Sequence, residues 1–363
     1  MKSILMALLI AVCASAYGIN INDTRLLTDP AVSGDHIAFA YANDLWVANL
    51  DGSNVRRLTS HPGVESGPRF SPDGSMIAFT GRYEGNVDVY VVPTAGGVPK
   101  RLTFHPLNDV VLGFTPDGSA VLFTSPREVY TRRFVQLFTV PVTGGSVTKL
   151  PIPNAFKATY SPDGRKIVYQ PIGDAFIEWK RYRGGQVARL MIFDTATNAV
   201  EQIPQPATRS NDTDPMWIGD KVYFRSDRSG EFNLFSYDPK SKQVEQLTRY
   251  TDWPVIKASA GGGRIAFERG GYLSLFEKGL AGEAYNLGSG RATRVHTVLD
   301  ELRAQCRVPV EVDVDPRKLR PREIDRVVGS IEKIGRDTGW RPEIPLRQTL
   351  VDLLEYWRQE LVR

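Results

Sequence analysis

The turn Ser-Pro-Asp-Gly recurs along this chain at a nearly constant interval, and that interval restricts the possible folds more than any other feature. It opens at Ser71 and Ser161, and as Thr-Pro-Asp-Gly at Thr115, so the steps are 44 and 46 residues. An alternating run of β-forming residues follows each turn, as in Met76–Phe79. Degenerate copies open at Ser33, Ile218 and Gly261. Repeats of about 40–45 residues with four short strands are typical of β-propeller blades.

Each of the six units continues in the same order after its first hairpin. A second apolar strand follows, such as Val87–Val92, then a glycine turn such as Gly96-Gly97, and then an outer strand such as Arg101–Thr103. Glycine pairs between alternating runs indicate hairpins, because the favoured two-residue turns need positive φ. The sequence therefore predicts a mostly β fold, with a six-bladed β-propeller over residues 20–276.

The sixth unit lacks an outer strand of this kind. Arg25–Thr28 matches the outer strands of the other units and has no blade before it. An open sheet edge leaves backbone groups unpaired. We therefore expect this segment to pair with the sixth blade and to close the ring.

Composition and repeat position exclude several kinds of site. The chain has Lys+Arg 45 and Asp+Glu 41, a net charge of +4, which gives no basic surface for nucleic acid. His61 and His105 occupy the same Leu-Thr-x-His-Pro position of successive units, so they are interpreted as loop residues and not as metal ligands. We expect no metal and no cofactor.

Residues 1–16 have the pattern of a signal peptide. Lys2 precedes an apolar run from Ile4 to Ala14, and Ala14-Ser15-Ala16 ends it; a positive start, a short apolar core and a small-x-small site are typical of secretory signals. The run is too short for a membrane-spanning helix, which needs about 20 residues. The sequence predicts export to a periplasm or to the medium, with no membrane anchor after removal of the signal.

The propeller region resembles the WD40-like repeats of TolB and, more specifically, the six-bladed propeller of tricorn proteases. The stretches that carry the second resemblance are residues 132–138, 179–185 and 211–228. It covers about residues 25–276. It implies a propeller that leads to or from a proteolytic chamber, in which an arginine pair anchors the carboxylate of a peptide.

Arg132 and Arg133 match that arginine pair, and arginine is well suited to bind a carboxylate through two hydrogen bonds. Lys180, Arg181 and Arg183 are candidates for the channel wall. Solvated or ion-paired side chains on a blade loop would give the same sequence. No serine-protease core is apparent, so the resemblance favours binding of peptides or of a protein partner at the channel, with no catalytic residues, and allows the oligomeric assembly of tricorn-type proteins.

A different pattern begins near residue 277. Apolar periodicity predicts helices after Thr293 and over Leu346–Leu361, and Val308–Val314 alternates as a strand. We therefore expect a small α/β lobe over residues 277–363.

This lobe resembles the substrate lobe of extended short-chain dehydrogenases, especially GDP-mannose 4,6-dehydratases and NAD-dependent nucleotide-sugar epimerases. The matching stretches are residues 285–290, 319–323, 338–343 and 354–358. The resemblance implies that Arg320 and Arg322 contact a nucleotide sugar. The glycine-rich NAD loop and the Tyr-Lys pair of that family are not found, so we expect no hydride chemistry.

Three interpretations remain open at this point. The chain is a binding module, or the propeller of a peptidase whose catalytic part lies in another chain, or an incomplete nucleotide-sugar enzyme. The abrupt change of pattern near residues 276–279 also fits a chimeric or misjoined reading frame.

Overall fold

The computed structural model describes residues 26–129, 134–277, 295–305, 342 and 345–360. The chain divides into two compact units, one of residues Leu26–Tyr285 and one that combines Met1–Arg25 with Asn286–Arg363. Each unit is described by itself below.

The first unit consists of six antiparallel sheets in chain order, called blades 1 to 6 here. Blade 1 contains β1 (Thr28–Val32), β2 (His36–Tyr41), β3 (Asp44–Asn49) and β4 (Arg56–Arg57). Blade 2 contains β5 (Val64–Phe70), β6 (Met76–Tyr83), β7 (Asn86–Pro93) and β8 (Lys100–Arg101). Blade 3 contains β9 (Val110–Phe114), β10 (Ala120–Ser125), β11 (Gln136–Pro141) and β12 (Thr148–Lys149). Blade 4 contains β13 (Lys157–Tyr160), β14 (Lys166–Gln170), β15 (Met191–Asp194) and β16 (Val200–Gln202). Blade 5 contains β17 (Asp212–Ile218), β18 (Lys221–Ser226), β19 (Asn233–Asp238) and β20 (Gln243–Gln246). Blade 6 contains β21 (Val255–Gly261), β22 (Arg264–Arg269) and β23 (Tyr272–Glu277).

The Ser-Pro-Asp-Gly turns form the first hairpin of their blades, as predicted. In blade 2 the Asp73 carboxylate accepts hydrogen bonds from the Ser71 hydroxyl (2.6 Å) and from the Ser75 amide (3.1 Å). Gly74 follows with φ +74°, a conformation that costs glycine little. The turn therefore fixes the register of β5 against β6 by local chemistry.

The core is divided into six clusters, each between two neighbouring blades. Blades 5 and 6 share one that includes Met216, Leu234 and Phe267. The last cluster joins blade 6 to blade 1 through Leu273 and Phe39, among others. The innermost strands β1, β5, β9, β13, β17 and β21 contact one another in a closed cycle. The described strands therefore form a six-bladed ring around a central channel, which confirms the predicted architecture.

The predicted closure of the ring by an N-terminal outer strand is wrong for residues 26–28. Thr28 is the first residue of β1 and pairs with Ala40 inside blade 1, and the described part of blade 6 has three strands. Blade 6 instead packs side by side on blade 1. The Ser259 hydroxyl donates to Pro30 O (2.6 Å), and the Thr28 hydroxyl donates to Glu268 Oε2 (2.8 Å). Side-chain packing therefore closes the ring.

The described part of the second unit contains two helices, α1 (Val295–Ala304) and α2 (Leu346–Glu360). Both were predicted from their apolar periodicity, and they contact each other. The strand predicted at Val308–Val314 lies outside the described residues, so the structure shows two helices and not an α/β lobe. Among the described helices, none has the length and hydropathy needed to cross a membrane.

Candidate functional site

Antiparallel order puts two kinds of connection at the same end of the ring. The chain leaves strand two for strand three, and leaves each blade for the next, at one end, which we call the loop end. The Ser-Pro-Asp-Gly turns lie at the opposite end, the turn end. The long connection from β14 to β15 lies at the loop end and contains Lys180, Arg181 and Arg183.

A tripeptide that the repeat analysis missed shapes the channel at the loop end. Thr28-Asp29-Pro30, Ser66-Gly67-Pro68 and Thr213-Asp214-Pro215 lie on the innermost strands of blades 1, 2 and 5. The middle residues have φ of 51°, 58° and 50°, and each strand has a bulge there. A bulge changes the direction of a side chain. The shared Pro one residue after Asp or Gly was the available sequence signal.

Blades 4 and 5 share a buried network of two cations and two carboxylates. Lys157 Nζ lies 2.5 Å from Asp174 Oδ2 and 2.7 Å from Asp214 Oδ1, and Arg225 Nε lies 2.6 Å from Asp214 Oδ2. Burial alone would raise the pKa of Asp214, but the charges of Arg225 and Lys157 outweigh it and hold the pKa well below its ordinary value. All four groups are therefore charged at neutral pH.

Two aromatic rings enclose the Arg225 guanidinium. Phe176 lies 5.7 Å and Phe232 4.8 Å from it, centroid to Cζ, and the side chain of Arg225 is 6% exposed. Phe176 belongs to the short 3₁₀ turn Ala175–Ile177 of the β14–β15 connection. This cation–π arrangement attaches the connection to blade 5.

A second ion pair joins blade 6 to blade 1. Lys257 Nζ contacts Asp29 Oδ1, and Asp29 Oδ2 accepts a hydrogen bond from the Gly67 amide of blade 2 (3.2 Å). We call the charged residues on and behind the innermost strands at this end the channel-mouth cluster. Its members are Arg69, Lys157, Arg225, Lys257, Asp29, Asp174, Asp214 and Glu268. Four cations face four carboxylates, so the cluster has strong local fields and no net charge.

The candidates from sequence lie apart from this cluster. Lys180 and Arg181 both pair with Glu231, at 3.1 and 3.2 Å, and both are about two-thirds exposed. Arg183 pairs with Asp227 at 2.6 Å. Arg132 and Arg133 lie outside the described residues, between β10 and β11. Arg320 and Arg322 also lie outside them, so all four stay predictions.

Other acidic residues serve the blades themselves. An arginine and a buried aspartate pair at Arg57–Asp44, Arg101–Asp88, Arg127–Asp109 and Arg228–Asp212, with distances of 2.5 to 2.8 Å. Asp212 and Asp214 therefore have separate partners and do not form a carboxylate pair. Within the described residues no group of acidic, histidine or cysteine side chains could hold a metal ion.

Glu65 gives the protein an expected pH dependence of stability. Its side chain is 1% exposed and accepts a hydrogen bond from the Thr59 hydroxyl (3.0 Å), and burial raises its pKa from 4.5 to about 7. Between these values the native state binds more protons than the unfolded state, so stability falls as pH rises. Glu65→Gln should remove this decline, a relative gain of up to about 3 kcal/mol between about pH 5 and pH 8.

Urea unfolding at several pH values measures this effect. The control is Glu245→Gln, which removes one carboxylate from the exposed position on β20. Parallel stability profiles of wild type and Glu65→Gln over this pH range would contradict the assignment.

The fold and the charged channel mouth define a six-bladed propeller whose channel is polar and enclosed. Residues 24–280 match the family described as the tricorn protease N-terminal beta propeller domain. The chain belongs to this family.

Individual relatives agree over the same region. The tricorn protease homolog of Saccharolobus solfataricus is 30% identical over 258 residues, which are 68% of this chain and 23% of the relative. The crystal structure of the tricorn protease superimposes with a TM-score of 0.65 at 25% identity, over 75% of this chain and 27% of that chain. The chain thus spans about a quarter of the length of these relatives. GDP-6-deoxy-D-mannose reductase of Pseudomonas aeruginosa is 34% identical over 90 residues, 25% of this chain and 30% of the relative.

Proposed function

We propose that the propeller binds peptides, or an extended segment of a protein partner, in its channel and serves as a non-catalytic module of a tricorn-type proteolytic assembly. The observation that carries the proposal is the channel-mouth cluster, with charged side chains on bulged innermost strands inside an enclosed channel. Membership of the tricorn propeller family supports it.

The chemistry of the cluster suits a zwitterionic or mixed-charge chain. Lys257 is half-exposed and Lys157 less so, whereas their partners Asp29 and Asp214 are more buried. A peptide entering at the loop end would therefore meet cationic groups first, with carboxylates behind them. In an enclosed channel such charges are screened less than on the surface, so they can orient a peptide by its termini.

Peptide binding to the full chain tests the proposal. A mixed pool of hexapeptides should bind saturably in calorimetry, and the double variant Lys257→Gln with Asp29→Asn should bind at least about fivefold more weakly, because it removes one ion pair from the channel mouth. The matched control is Lys240→Gln with Asp220→Asn, a Lys–Asp pair at 3.6 Å on the turn end. Absence of saturable binding, or equal weakening by the control, would refute the proposal.

For residues 277–363 we propose a remnant nucleotide-sugar lobe, whether inherited in a natural fusion or in a misjoined reading frame. The partial likeness to GDP-6-deoxy-D-mannose reductase supports it, and Arg320 and Arg322 are the proposed ligands of the diphosphate. Titration of the full chain with GDP-mannose tests it, and no saturable signal would reject it.

We also propose that residues 1–16 direct export. The charge and apolar pattern around Lys2 supports this proposal. Sequencing of the N-terminus after expression should find it removed, and an intact Met1 on exported protein would count against it.

A further inference from the structure

Arg69 differs from every other cation of the channel-mouth cluster in what it bonds. It leaves β5 opposite Ala78 and reaches toward blade 3, where Nε donates to Leu112 O (3.2 Å); Nη1 donates to Pro68 O (2.7 Å). Among the described residues no carboxylate lies within ion-pair distance of it. A guanidinium has five N–H donors, so three remain available.

The nearby carboxylates of the cluster have other partners. Asp29 pairs with Lys257 and accepts from the Gly67 amide, and Asp214 pairs with Lys157 and Arg225. Burial lowers the pKa of Arg69 more than the charges of Asp29 and Asp214 raise it. The positive charge of Arg69 is therefore only partly compensated, although arginine stays protonated at any physiological pH.

The tripeptide on the innermost strands explains why Arg69 lacks a partner. Blades 1 and 5 have an aspartate in the middle of it, and blade 2 has Gly67. A Cβ at Gly67 would have no atom within 4 Å, and the same holds for Gly113 on β9. The channel is thus open next to Arg69, on the side of blades 2 and 3, where the other blades place a carboxylate or an ion pair.

We propose that Arg69 is the carboxylate-binding residue of the channel, and that a carboxylate of the bound peptide occupies the space beside Gly67 and Gly113. The guanidinium would donate from Nη2 and from the second hydrogen of Nη1, the geometry that arginine uses with carboxylates. This inference rests on the proposed function, since it names the group of the peptide that the channel recognises.

A substitution at Gly67 tests the proposal without removing the arginine. Gly67→Asp would copy Asp29 and Asp214, which have the same positive φ, and would supply Arg69 with an internal carboxylate. Gly67→Asn is its neutral control of the same shape. The probe is a hexapeptide of alanine and leucine with a free C-terminus, compared with its C-terminally amidated twin and with an amidated hexapeptide that contains one glutamate.

For the wild-type chain, binding of the free-carboxylate peptide should exceed that of the amidated twin roughly tenfold or more, the effect of one charged hydrogen-bonded pair. Gly67→Asp and Arg69→Gln should each remove that difference, and Gly67→Asn should keep it. Arg165→Gln, an 83% exposed arginine at the turn end, controls for loss of a positive charge.

The remaining outcomes separate the possible errors. Binding of the glutamate-containing amide at wild-type strength would show that Arg69 recognises any carboxylate and not the chain terminus alone. If all three peptides bind equally, or if Arg69→Gln leaves the difference intact, Arg69 is not the anchor although peptide binding stands. If none binds, the proposed function fails first. Each variant is compared at matched melting temperature, and should the Gly67 variants unfold, Arg69→Gln decides alone.

Discussion

Replacing Asp214 by alanine should lower the free energy of unfolding by about 3–5 kcal/mol, the range observed when one partner of a buried ion pair is removed. The carboxylate holds Lys157 at 2.7 Å and Arg225 at 2.6 Å. Lys157 keeps Asp174 in the variant, but Arg225 keeps only the carbonyl of Val255 and its aromatic neighbours. An almost uncompensated cation is then left in a site that is 6% exposed.

Urea unfolding of wild type and variant measures the loss. Asp220→Ala is the control, because Asp220 pairs with Lys240 on the surface of the same blade, at 3.6 Å, and exposed pairs contribute at most about 1 kcal/mol. Arg225→Met together with Asp214→Ala should recover part of the stability, since it removes the unpaired charge and keeps the ring contacts. A loss below that of the control would show that the network contributes nothing to the fold.

The blades could be predicted from sequence because their signals are local. The Ser71 hydroxyl, the Asp73 carboxylate and Gly74 build one turn within four residues, and the alternation that follows fixes which face is buried. The helices α1 and α2 were equally local, because 3.6-residue periodicity is contained in a single segment.

The channel mouth could not be predicted in the same way. Lys157 and Asp214 are 57 residues apart, and Thr28 and Glu268 are 240 apart, so their contact depends on how complete blades are placed around the ring. The bulges that orient Asp29 and Asp214 also break the alternation on which strand prediction relies. Cationic residues in a loop, such as Lys180 and Arg181, attract attention in a sequence, whereas an arginine inside a strand pattern, such as Arg69, does not.

The same reasoning explains why the ring closure was mispredicted. Arg25–Thr28 resembles an outer strand in composition, but Asp29-Pro30 directly after it belongs to a bulged innermost strand. Proline lacks an N–H and is tolerated at bulges, so the presence of Pro30 was evidence for the innermost position. Closure then depends on the fit of blade 6 against blade 1.

That fit makes Gly261→Ala the second large expected effect. A Cβ at Gly261 would lie 1.8 Å from Val32 O and 3.0 Å from Val32 C, both backbone atoms of blade 1. Neither can move aside as a flexible side chain could, so blade 6 must shift relative to blade 1. Overpacking costs typically 1–3 kcal/mol, and we expect a loss of about 3 kcal/mol, because the shift separates Leu273 from Phe39 in the shared core.

Gly34→Ala is the matched control, because it adds the same methyl group at the same junction. Its Cβ would have no atom within 4 Å and its φ is not positive, so stability should stay within about 0.5 kcal/mol of wild type. Hydrogen exchange should locate the damage: amides of β1 and β22 should lose protection in Gly261→Ala, while those of β10 in blade 3 should keep it. Uniform loss of protection in all blades would mean that the ring opens as one cooperative unit, and unchanged protection of β1 would mean that the contact between blades 6 and 1 does not hold the ring closed.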